Sequence, residues 1–353
     1  MTSIKLLFGH TGLAMGQQLH ERWLLSALVR APHPDLEVVP LTVRPWRAKQ
    51  PVSGGDGVRI PVGLTTRLPL TGQRLVTRVA YGRADLYHRF DLRLPPAPGR
   101  EVLTVHDLPG LHFPDEGSIG PSLLRSAARS RGIICPSQFA ADEICQILKP
   151  RNVWVIPNGV APHISTTDAW TSNRLRMVGI DRPFVLLAGG STLRKNLAAL
   201  GQAWKLVTEA IGLEVLLVQA GPPSAARTSS SAGVPNVLHL GHLPPSDVAG
   251  LMKAAQCVVV PSLYEGFGLP ALEGMACGVP VVASNTGALP EVCADAALLV
   301  EPTAAGLAEG LVTGLTDESL RAELRQRGPV RAAEFTWDRA AALHRQAYAE
   351  VLS

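Results

Sequence analysis

The chain has 353 residues, of which 46% are hydrophobic and 18% charged, and its formal net charge at pH 7 is +4. This is the composition of a globular protein with room for two domains, and it excludes an intrinsically disordered chain. No stretch approaches the ~18 uninterrupted apolar residues of a membrane span, so we expect no transmembrane helix.

The cysteines and the N-terminus indicate the compartment. The five cysteines form no C-x-x-C pair, and the first apolar run is too short for the core of a signal peptide. Both features favour a reduced chain in the cytoplasm over a disulfide framework.

Short apolar runs rich in β-branched residues alternate along the chain with segments of helical periodicity. The predicted strands are, in chain order, Ile4–Phe8, Glu37–Val43, Val102–Val105, Gly132–Cys135, Val153–Ile156, Phe184–Ala188, Leu213–Gln219, Val237–Leu240, Cys257–Val260, Val279–Ala283 and Ala297–Val300. The predicted helices include Gln17–Val29, Phe139–Leu148, Leu197–Ala210 and Pro245–Ala255. This alternation predicts parallel α/β sheets with helices on both faces.

The strands fall into two series separated by an irregular stretch of chain. We therefore predict two doubly wound domains, at residues 1–165 and 166–335. The amphipathic segment 336–353 is predicted to be a C-terminal helix that crosses back to the N-terminal domain. Residues 222–235 are predicted to form a mobile surface loop, and residues 44–100 show little periodicity.

The stretch from Ser262 to Pro280, SLYEGFGLPALEGMACGVP, combines a glycine-rich turn with the predicted start of a helix. Pro270 suits the first helical turn, and no Ser, Thr, Asp or Asn stands where a capping side chain is expected. The backbone amides at Gly268, Leu269 and Ala271 are therefore predicted to bind an external anion, which the helix dipole also favours.

Glu265 and Glu273 stand on either side of this predicted anion site. Carboxylates do not bind phosphate, but they accept hydrogen bonds from hydroxyl groups. A ligand with a diphosphate between two polyols, such as a nucleoside diphosphate sugar, fits this order of groups. In the competing interpretation, Glu273 only favours the helix N-terminus and Glu265 is solvated.

Several stretches, in the right order, resemble the family 4 retaining glycosyltransferases. The stretch EGFGLPALE and the following GMACGVPVVASNTGALPEV are similar to the family signature. TVHDL (104–108), VIPNGV (155–160) and GGSTLRKNL (189–197) are similar to its N-domain histidine motif, interdomain stretch and phosphate-binding loop. The resemblance runs nearly end to end and implies a GT-B fold, with two Rossmann-like domains facing across a cleft.

The resemblance also implies roles for residues of the C-terminal domain. Arg194 and Lys195 would neutralise the diphosphate, Glu265 would lie near the transferred sugar, and Glu273 would bind the ribose. The remaining donor-binding positions in this domain would be Phe267, Gly268 and Leu269, through their amides, and Leu243, through backbone contact with the base.

In the N-terminal domain, the resemblance assigns His106 to the donor sugar, Asp107 to orienting its loop and Gly12 to close approach of the ligand. Four departures from the family pattern leave the donor open: the first loop reads GHTGLAMG, the glycines at 189–190 lack the arginine that follows in some members, Leu193 precedes Arg-Lys, and Ala288 replaces a common glycine. GDP-mannose is the favoured donor, since the chain resembles mannosyltransferase-like members, and UDP-glucose is the next.

The sequence contains no pair of aspartates at an i, i+2 spacing, so we expect neither a metal nor any other cofactor. Cations and helix amides would stabilise the leaving group instead. The resemblance implies retention of configuration, and the lack of a convincing nucleophile favours front-face attack.

Residues 41–100 hold eleven lysines and arginines against three aspartates, so this segment carries +8 and the rest of the chain −4. An anionic or membrane-held glycan acceptor is therefore expected, with peripheral contact at the inner membrane face. A soluble acceptor and a plain solvated surface stay open as alternatives. No nucleic-acid signature accompanies the charge.

Two other functions stay open. One is a different GT-B enzyme, such as a sugar-nucleotide epimerase or a phosphorylase. The other is a non-catalytic scaffold that retains the nucleotide cleft, although the joint presence of Arg194, Lys195, Glu265 and Glu273 argues against it.

Overall fold

The computed structural model describes residues 2–9, 16–46, 57–212 and 214–353. The strands within these ranges are β1 (Thr2–Gly9), β2 (Leu36–Pro45), β3 (Gly57–Ile60), β4 (Leu86–Arg89), β5 (Glu101–Thr104), β6 (Gly132–Cys135), β7 (Val153–Val155), β8 (Phe184–Ala188), β9 (Leu216–Ala220), β10 (Val237–Gly241), β11 (Cys257–Val260), β12 (Val281–Ser284) and β13 (Leu298–Val300).

The α-helices are α1 (Gly16–Arg30), α2 (Val62–Thr65), α3 (Leu70–Ala80), α4 (Pro121–Ala128), α5 (Gln138–Leu148), α6 (His163–Thr166), α7 (Ser172–Met177), α8 (Leu197–Ile211), α9 (Ala225–Ser230), α10 (Pro245–Ala254), α11 (Leu269–Ala276), α12 (Leu289–Cys293), α13 (Ala304–Thr316), α14 (Glu318–Ala332) and α15 (Trp337–Leu352). Short 3₁₀ turns lie at Pro109–Leu111, Pro114–Glu116 and Leu193–Lys195. No helix of the described ranges is long and apolar enough to cross a membrane.

The chain divides by its internal contacts into two compact units. The N-terminal unit comprises Met1–Leu108, Ser118–Gly159 and Thr336–Ser353, and the C-terminal unit comprises Pro109–Gly117 and Val160–Phe335. The predicted domain limits of 1–165, 166–335 and 336–353 stay a prediction. The short segment Pro109–Gly117 belongs to the C-terminal unit although the chain on both sides of it belongs to the N-terminal one.

The N-terminal unit is built on a seven-stranded sheet in the order β3-β2-β1-β4-β5-β6-β7. Its neighbouring strands are parallel, so their carboxyl ends share one edge of the sheet. Strands β4, β5 and β6 are buried along their whole length, as expected of a sheet covered by helices on both faces. Helix α15 packs against α1 through a hydrophobic cluster that includes Leu24, Trp337 and Tyr348.

The C-terminal unit has a six-stranded sheet in the order β10-β9-β8-β11-β12-β13. Its neighbouring strands are also parallel. Trp204 of α8 is fully buried in a cluster with α13 on one face, and Met275 of α11 lies in the cluster on the other. Gly274 lets α11 approach the sheet, because a Cβ there would lie 2.8 Å from Val281 Cγ2. The predicted doubly wound α/β class is thus confirmed.

Two sequence interpretations need correction. Residues 222–235 contain helix α9, and its Arg227 is buried, with the guanidinium donating to the side-chain oxygen of Gln219 at 3.0 Å and to the carbonyl of Gly189 at 2.7 Å. A polar, serine-rich stretch is therefore anchored by an arginine that the sequence pattern gave no reason to bury. The weakly periodic residues 44–100 contain β3, α2, α3 and β4, none of which was predicted.

Candidate active site

The loop after β8 carries Arg194 and Lys195 on a 3₁₀ turn. The next residue, Asn196, has a left-handed backbone with φ of 55°. Its side-chain amide donates to the carbonyls of Pro261 and Pro302, both at 2.9 Å. This residue therefore fixes the loop to the segments that follow β11 and β13, where parallel sheets place their ligands.

Both cations of this loop contact Glu265. Lys195 Nζ lies 2.6 Å from Glu265 Oε1, and Arg194 Nη1 lies 3.1 Å from Glu265 Oε2. The hydroxyl of Ser262 also donates to Oε1, at 2.7 Å. Burial would raise the pKa of Glu265, but the charges of Lys195 and Arg194 and these hydrogen bonds hold it below the ordinary value. The structure thus brings three of the four predicted catalytic residues together.

Two further acids belong to this arrangement and were missed by the sequence analysis. Glu116 Oε1 lies 2.6 Å from Arg194 Nε, and the Asp115 carboxylate accepts from the backbone N–H of Leu193 at 2.7 Å. Both acids lie in the segment 109–117 of the C-terminal unit. Arg194 is consequently held between two carboxylates, whereas Lys195 contacts one. We call Glu116, Arg194, Lys195 and Glu265 the ion cluster; its formal charges cancel.

The glycine-rich turn begins α11 as the sequence predicts. Gly268 has φ of +97°, and a Cβ there would lie 2.6 Å from Leu289 Cδ2, so only glycine fits. No side chain caps the helix start. Phe267 is buried against Phe335, with ring centroids 5.7 Å apart. A small cavity borders this turn, and its lining includes Lys195, Glu265 and Pro270, so these two members of the ion cluster face the same space as the first turn of α11.

Glu273 has a different environment from Glu265. Burial raises its pKa to about 7, and its carboxylate has no hydrogen bond or ion pair within the described part of the chain. Since a desolvated carboxylate gains from any hydrogen-bond donor, Glu273 is suited to receive hydroxyl groups of a ligand.

The other predicted positions lie in separate parts of the two units. Leu243 lies between β10 and α10 and packs partly buried on the core of the C-terminal unit. His106 and Asp107 follow β5 and are half-buried in the N-terminal unit. Gly12 lies outside the described residues. The described ranges contain no group of three or more His, Cys, Asp or Glu side chains placed to hold a metal ion.

The half-buried His106 lies beside a group of buried histidines that the sequence pattern does not indicate, namely His20, His88 and His344. Its ring centroid lies 4.5 Å from that of His20. His88 bonds Tyr348 and Thr104 through its two ring nitrogens, each at 2.7 Å. Burial lowers the pKa of His106 to about 4, with a smaller contribution from His344, so its imidazole is neutral at pH 7. A neutral imidazole can bind a sugar hydroxyl without adding charge.

Comparison with known proteins identifies the family. A family model described as glycosyl transferases group 1 matches residues 178–331, and one described as glycosyltransferase family 4 matches residues 22–163. The O-antigen chain mannosyltransferase B of Escherichia coli is 30% identical over 272 residues, which cover 72% of this chain and 71% of that protein. The chain belongs to glycosyltransferase family 4.

Other relatives of this glycosyltransferase differ in their substrates. The D-inositol 3-phosphate glycosyltransferase of Xylanimonas cellulosilytica is 34% identical over 242 residues, covering 63% of this chain and 58% of that protein. Among solved structures, sucrose-phosphate synthase of Thermosynechococcus elongatus matches with a TM-score of 0.79 and 22% identity, covering 99% of each chain. A trehalose-phosphate synthase of Burkholderia xenovorans matches with a TM-score of 0.74 and 14% identity, covering 99% and 100%. These structural matches establish the GT-B fold alone.

The neutral histidines predict how the stability of this glycosyltransferase depends on pH. Because burial lowers the pKa of His344, like that of His106, to about 4, the unfolded chain binds more protons than the folded one below pH ~6.5. Each neutral histidine therefore makes its full contribution to the free energy of unfolding above pH ~6.5. Between pH ~6.5 and pH 4 the free energy of unfolding falls by about 1.4 kcal/mol per pH unit for each histidine. Urea unfolding followed at several pH values measures this slope.

The variant His344→Leu should show a shallower slope, by about 1.4 kcal/mol per pH unit in the same window. The matched control is His33→Leu, since His33 is exposed in the same unit. An unchanged slope in His344→Leu would contradict the assignment.

Proposed function

We propose that this glycosyltransferase moves a hexose from a nucleoside diphosphate sugar to a glycan or lipid-linked acceptor, with retention and without a metal ion. The observation that carries the proposal is the ion cluster, whose Lys195 and Glu265 face the same cavity as the uncapped start of α11. The name of the relative that acts as an O-antigen mannosyltransferase supports mannose as the sugar. Glucose is the second candidate.

In this proposal the diphosphate lies between the first turn of α11 and Lys195. The amides of that turn have no capping side chain, and a helix N-terminus attracts anions. Lys195 uses one of its three N–H donors on Glu265, which leaves donors for phosphate oxygens. Arg194 is already bonded to Glu116 and Glu265, so we assign it mainly to positioning Glu265 and to the local field.

We favour front-face transfer because Glu265 is poorly suited to act as a nucleophile. Both of its oxygens are engaged, Oε1 by Lys195 and Ser262 and Oε2 by Arg194, and its lowered pKa makes it a weak nucleophile. The bond from the anomeric carbon to the diphosphate breaks while the acceptor oxygen bonds that carbon on the same face. The acceptor proton passes to a leaving phosphate oxygen. Glu265 then orients sugar hydroxyls and stabilises the developing positive charge.

Two alternatives can be separated from this reaction by their products. A sugar-nucleotide epimerase would change the sugar nucleotide without any acceptor, and a phosphorylase would require free phosphate. A non-catalytic scaffold would neither transfer nor hydrolyse the donor. Thermal-shift measurements against a panel of nucleotides and sugar nucleotides, followed by product analysis, test the function and identify the donor.

The surface of α2 and α3 supports a membrane-held acceptor. Four large apolar side chains are exposed there, namely Leu64, Leu68, Leu75 and Val79. Arg67, Arg74 and Arg78 are exposed among them. Apolar side chains framed by arginines are suited to the headgroup region of an anionic bilayer. We propose that this membrane-facing patch brings the enzyme to its acceptor at the inner membrane face.

Replacement of Lys195 tests the position of the diphosphate. Lys195→Ala should weaken binding of the donor and of the nucleoside diphosphate about ten- to a hundredfold, because a charge-assisted contact contributes roughly 1.5–3 kcal/mol. Calorimetry on the folded variant measures the change. Lys205→Ala removes an exposed lysine of α8 and should leave the affinity unchanged. Equal affinities in all three proteins would exclude this placement of the diphosphate.

The raised pKa of Glu273 predicts a pH-dependent donor affinity. The ionised carboxylate accepts from both ribose hydroxyls, whereas the protonated form loses part of this capacity. With a pKa of about 7, donor binding should weaken from pH 8 to pH 6 by up to about tenfold, the limit reached if only the ionised form binds. Glu273→Gln should bind more weakly and lose this dependence, while the exposed Glu309→Gln should retain it. A pH-independent affinity in the unaltered enzyme would remove Glu273 from the ribose site.

Vesicle co-sedimentation tests the membrane-facing patch. Leu75→Glu/Val79→Glu should reduce binding to phosphatidylglycerol vesicles at least tenfold, because each buried side chain of this size contributes roughly 1.5–3 kcal/mol. The control is Met177→Glu/Val330→Glu, which changes two exposed apolar residues of the C-terminal unit. If the two double variants bind alike, or if binding ignores anionic lipid and salt, the acceptor is not reached through this patch.

A further inference from the structure

The N-terminal unit contains a polar cavity at the edge of its sheet where β5, β6 and β7 begin. Its volume is about 380 Å³. Five arginines from four separate segments line it, namely Arg74, Arg100, Arg129, Arg131 and Arg151. We call this site the arginine cavity. Ser126 and the backbone around Ala97 complete the polar part of its wall.

Within the described part of the chain, no acid neutralises the positive charge of the arginine cavity. None of its five arginines forms an ion pair with another described residue. The acid in the lining, Glu101, is already engaged, with Oε1 on Arg89 at 2.9 Å and Oε2 on the backbone N–H of Ala97 at 2.6 Å. Arg100 donates to the backbone carbonyl of Leu352 at 3.2 Å, which fixes its direction and leaves its charge uncompensated.

All five arginines are exposed to solvent, and what favours a ligand over plain solvation is that they converge on one cavity from four separate segments. Five unpaired guanidinium groups around one cavity repel each other and create a strong local positive potential. Guanidinium groups bind phosphate oxygens in a bidentate manner. We propose that the arginine cavity binds a compact, multivalent phosphate group, either as a free ion or as part of a lipid headgroup.

The arginine cavity is separate from the donor site. Arg100 and Arg131 directly precede β5 and β6, whereas His106 and Asp107 follow the carboxyl end of β5. The cavity therefore lies at the opposite edge of the sheet from the loops where doubly wound sheets bind their substrates. The proposal does not depend on the donor site, so the two can fail independently. Arg74 is shared with the membrane-facing patch, and the variants below therefore leave Arg74 unchanged.

Calorimetric titration with inorganic pyrophosphate at low salt tests the arginine cavity. Arg129→Ala/Arg151→Ala should weaken one pyrophosphate-binding event at least tenfold. Lys195→Ala should retain that event, because Lys195 belongs to the ion cluster of the other unit. The control Arg22→Ala/Arg125→Ala removes the same charge from exposed positions of the same unit outside the lining and should also retain it.

Three results would overturn the proposal: unchanged binding in Arg129→Ala/Arg151→Ala, equal weakening in the control, or loss of the only binding event in Lys195→Ala.

The thermal unfolding midpoint shows whether Arg129→Ala/Arg151→Ala is folded. Without ligand, this midpoint should equal or exceed that of the unaltered chain, because the substitutions relieve repulsion. With pyrophosphate, the midpoint of the unaltered chain should rise and that of Arg129→Ala/Arg151→Ala should not.

Vesicles distinguish the two sources of phosphate. If the ligand is a headgroup, Arg129→Ala/Arg151→Ala should reduce co-sedimentation with vesicles that contain phosphatidic acid, whose terminal phosphate can carry two negative charges, as well as pyrophosphate binding. If it is a free ion, co-sedimentation should match that of the control while pyrophosphate binding is lost. Both results support the anion site, and retention of both activities contradicts it.

Discussion

The buried carboxylate of Glu265 is the group on which the donor site depends. It joins the loop after β8, through Arg194 and Lys195, to the loop after β11, through Ser262. Neither side of this arrangement is stable alone. Without the cations the buried carboxylate would take up a proton, and without Glu265 the two adjacent cations would have, among their ion-pair partners in the described ranges, only Glu116 to offset their repulsion. The ion cluster therefore has a fixed geometry before a donor binds, which avoids reorganisation during the reaction.

The glycines of the signature segment make this arrangement possible. Gly287 has φ of +60°, and a Cβ there would lie 2.8 Å from the backbone N and O of Glu265. The next residue, Ala288, donates its N–H to the carbonyl of Glu265 at 3.0 Å. The start of α12 thus packs directly on the backbone that carries the acid. Gly287 is needed at this position because no side chain fits between the start of α12 and the backbone of Glu265.

The sequence predicted the parts of this structure that depend on local pattern. Apolar strands such as β8 and β11 and the glycine-led start of α11 are visible in periodicity and turn residues. Strand β4, LYHR, was missed because its His88 and Arg89 are polar yet fully buried. Partners from distant parts of the chain stabilise these two side chains, and a hydrophobic pattern does not reveal such partners. Glu116 was missed for a related reason, since it lies 78 residues from Arg194. A long-range ion pair leaves no spacing signal in one sequence.

Strand β4 also connects the two polar features of the N-terminal unit. Successive residues of a strand point to opposite faces, so His88 bonds Tyr348 of α15 while Arg89 bonds Glu101 and the carbonyl of Leu94. On one face the imidazoles stay neutral, which lets them lie close together without repulsion. On the other, Arg89 neutralises Glu101, and because that acid is occupied it cannot offset the surrounding arginines. This buried ion pair takes the acid of the lining out of the charge balance, so the five arginines present their full positive charge to an external anion.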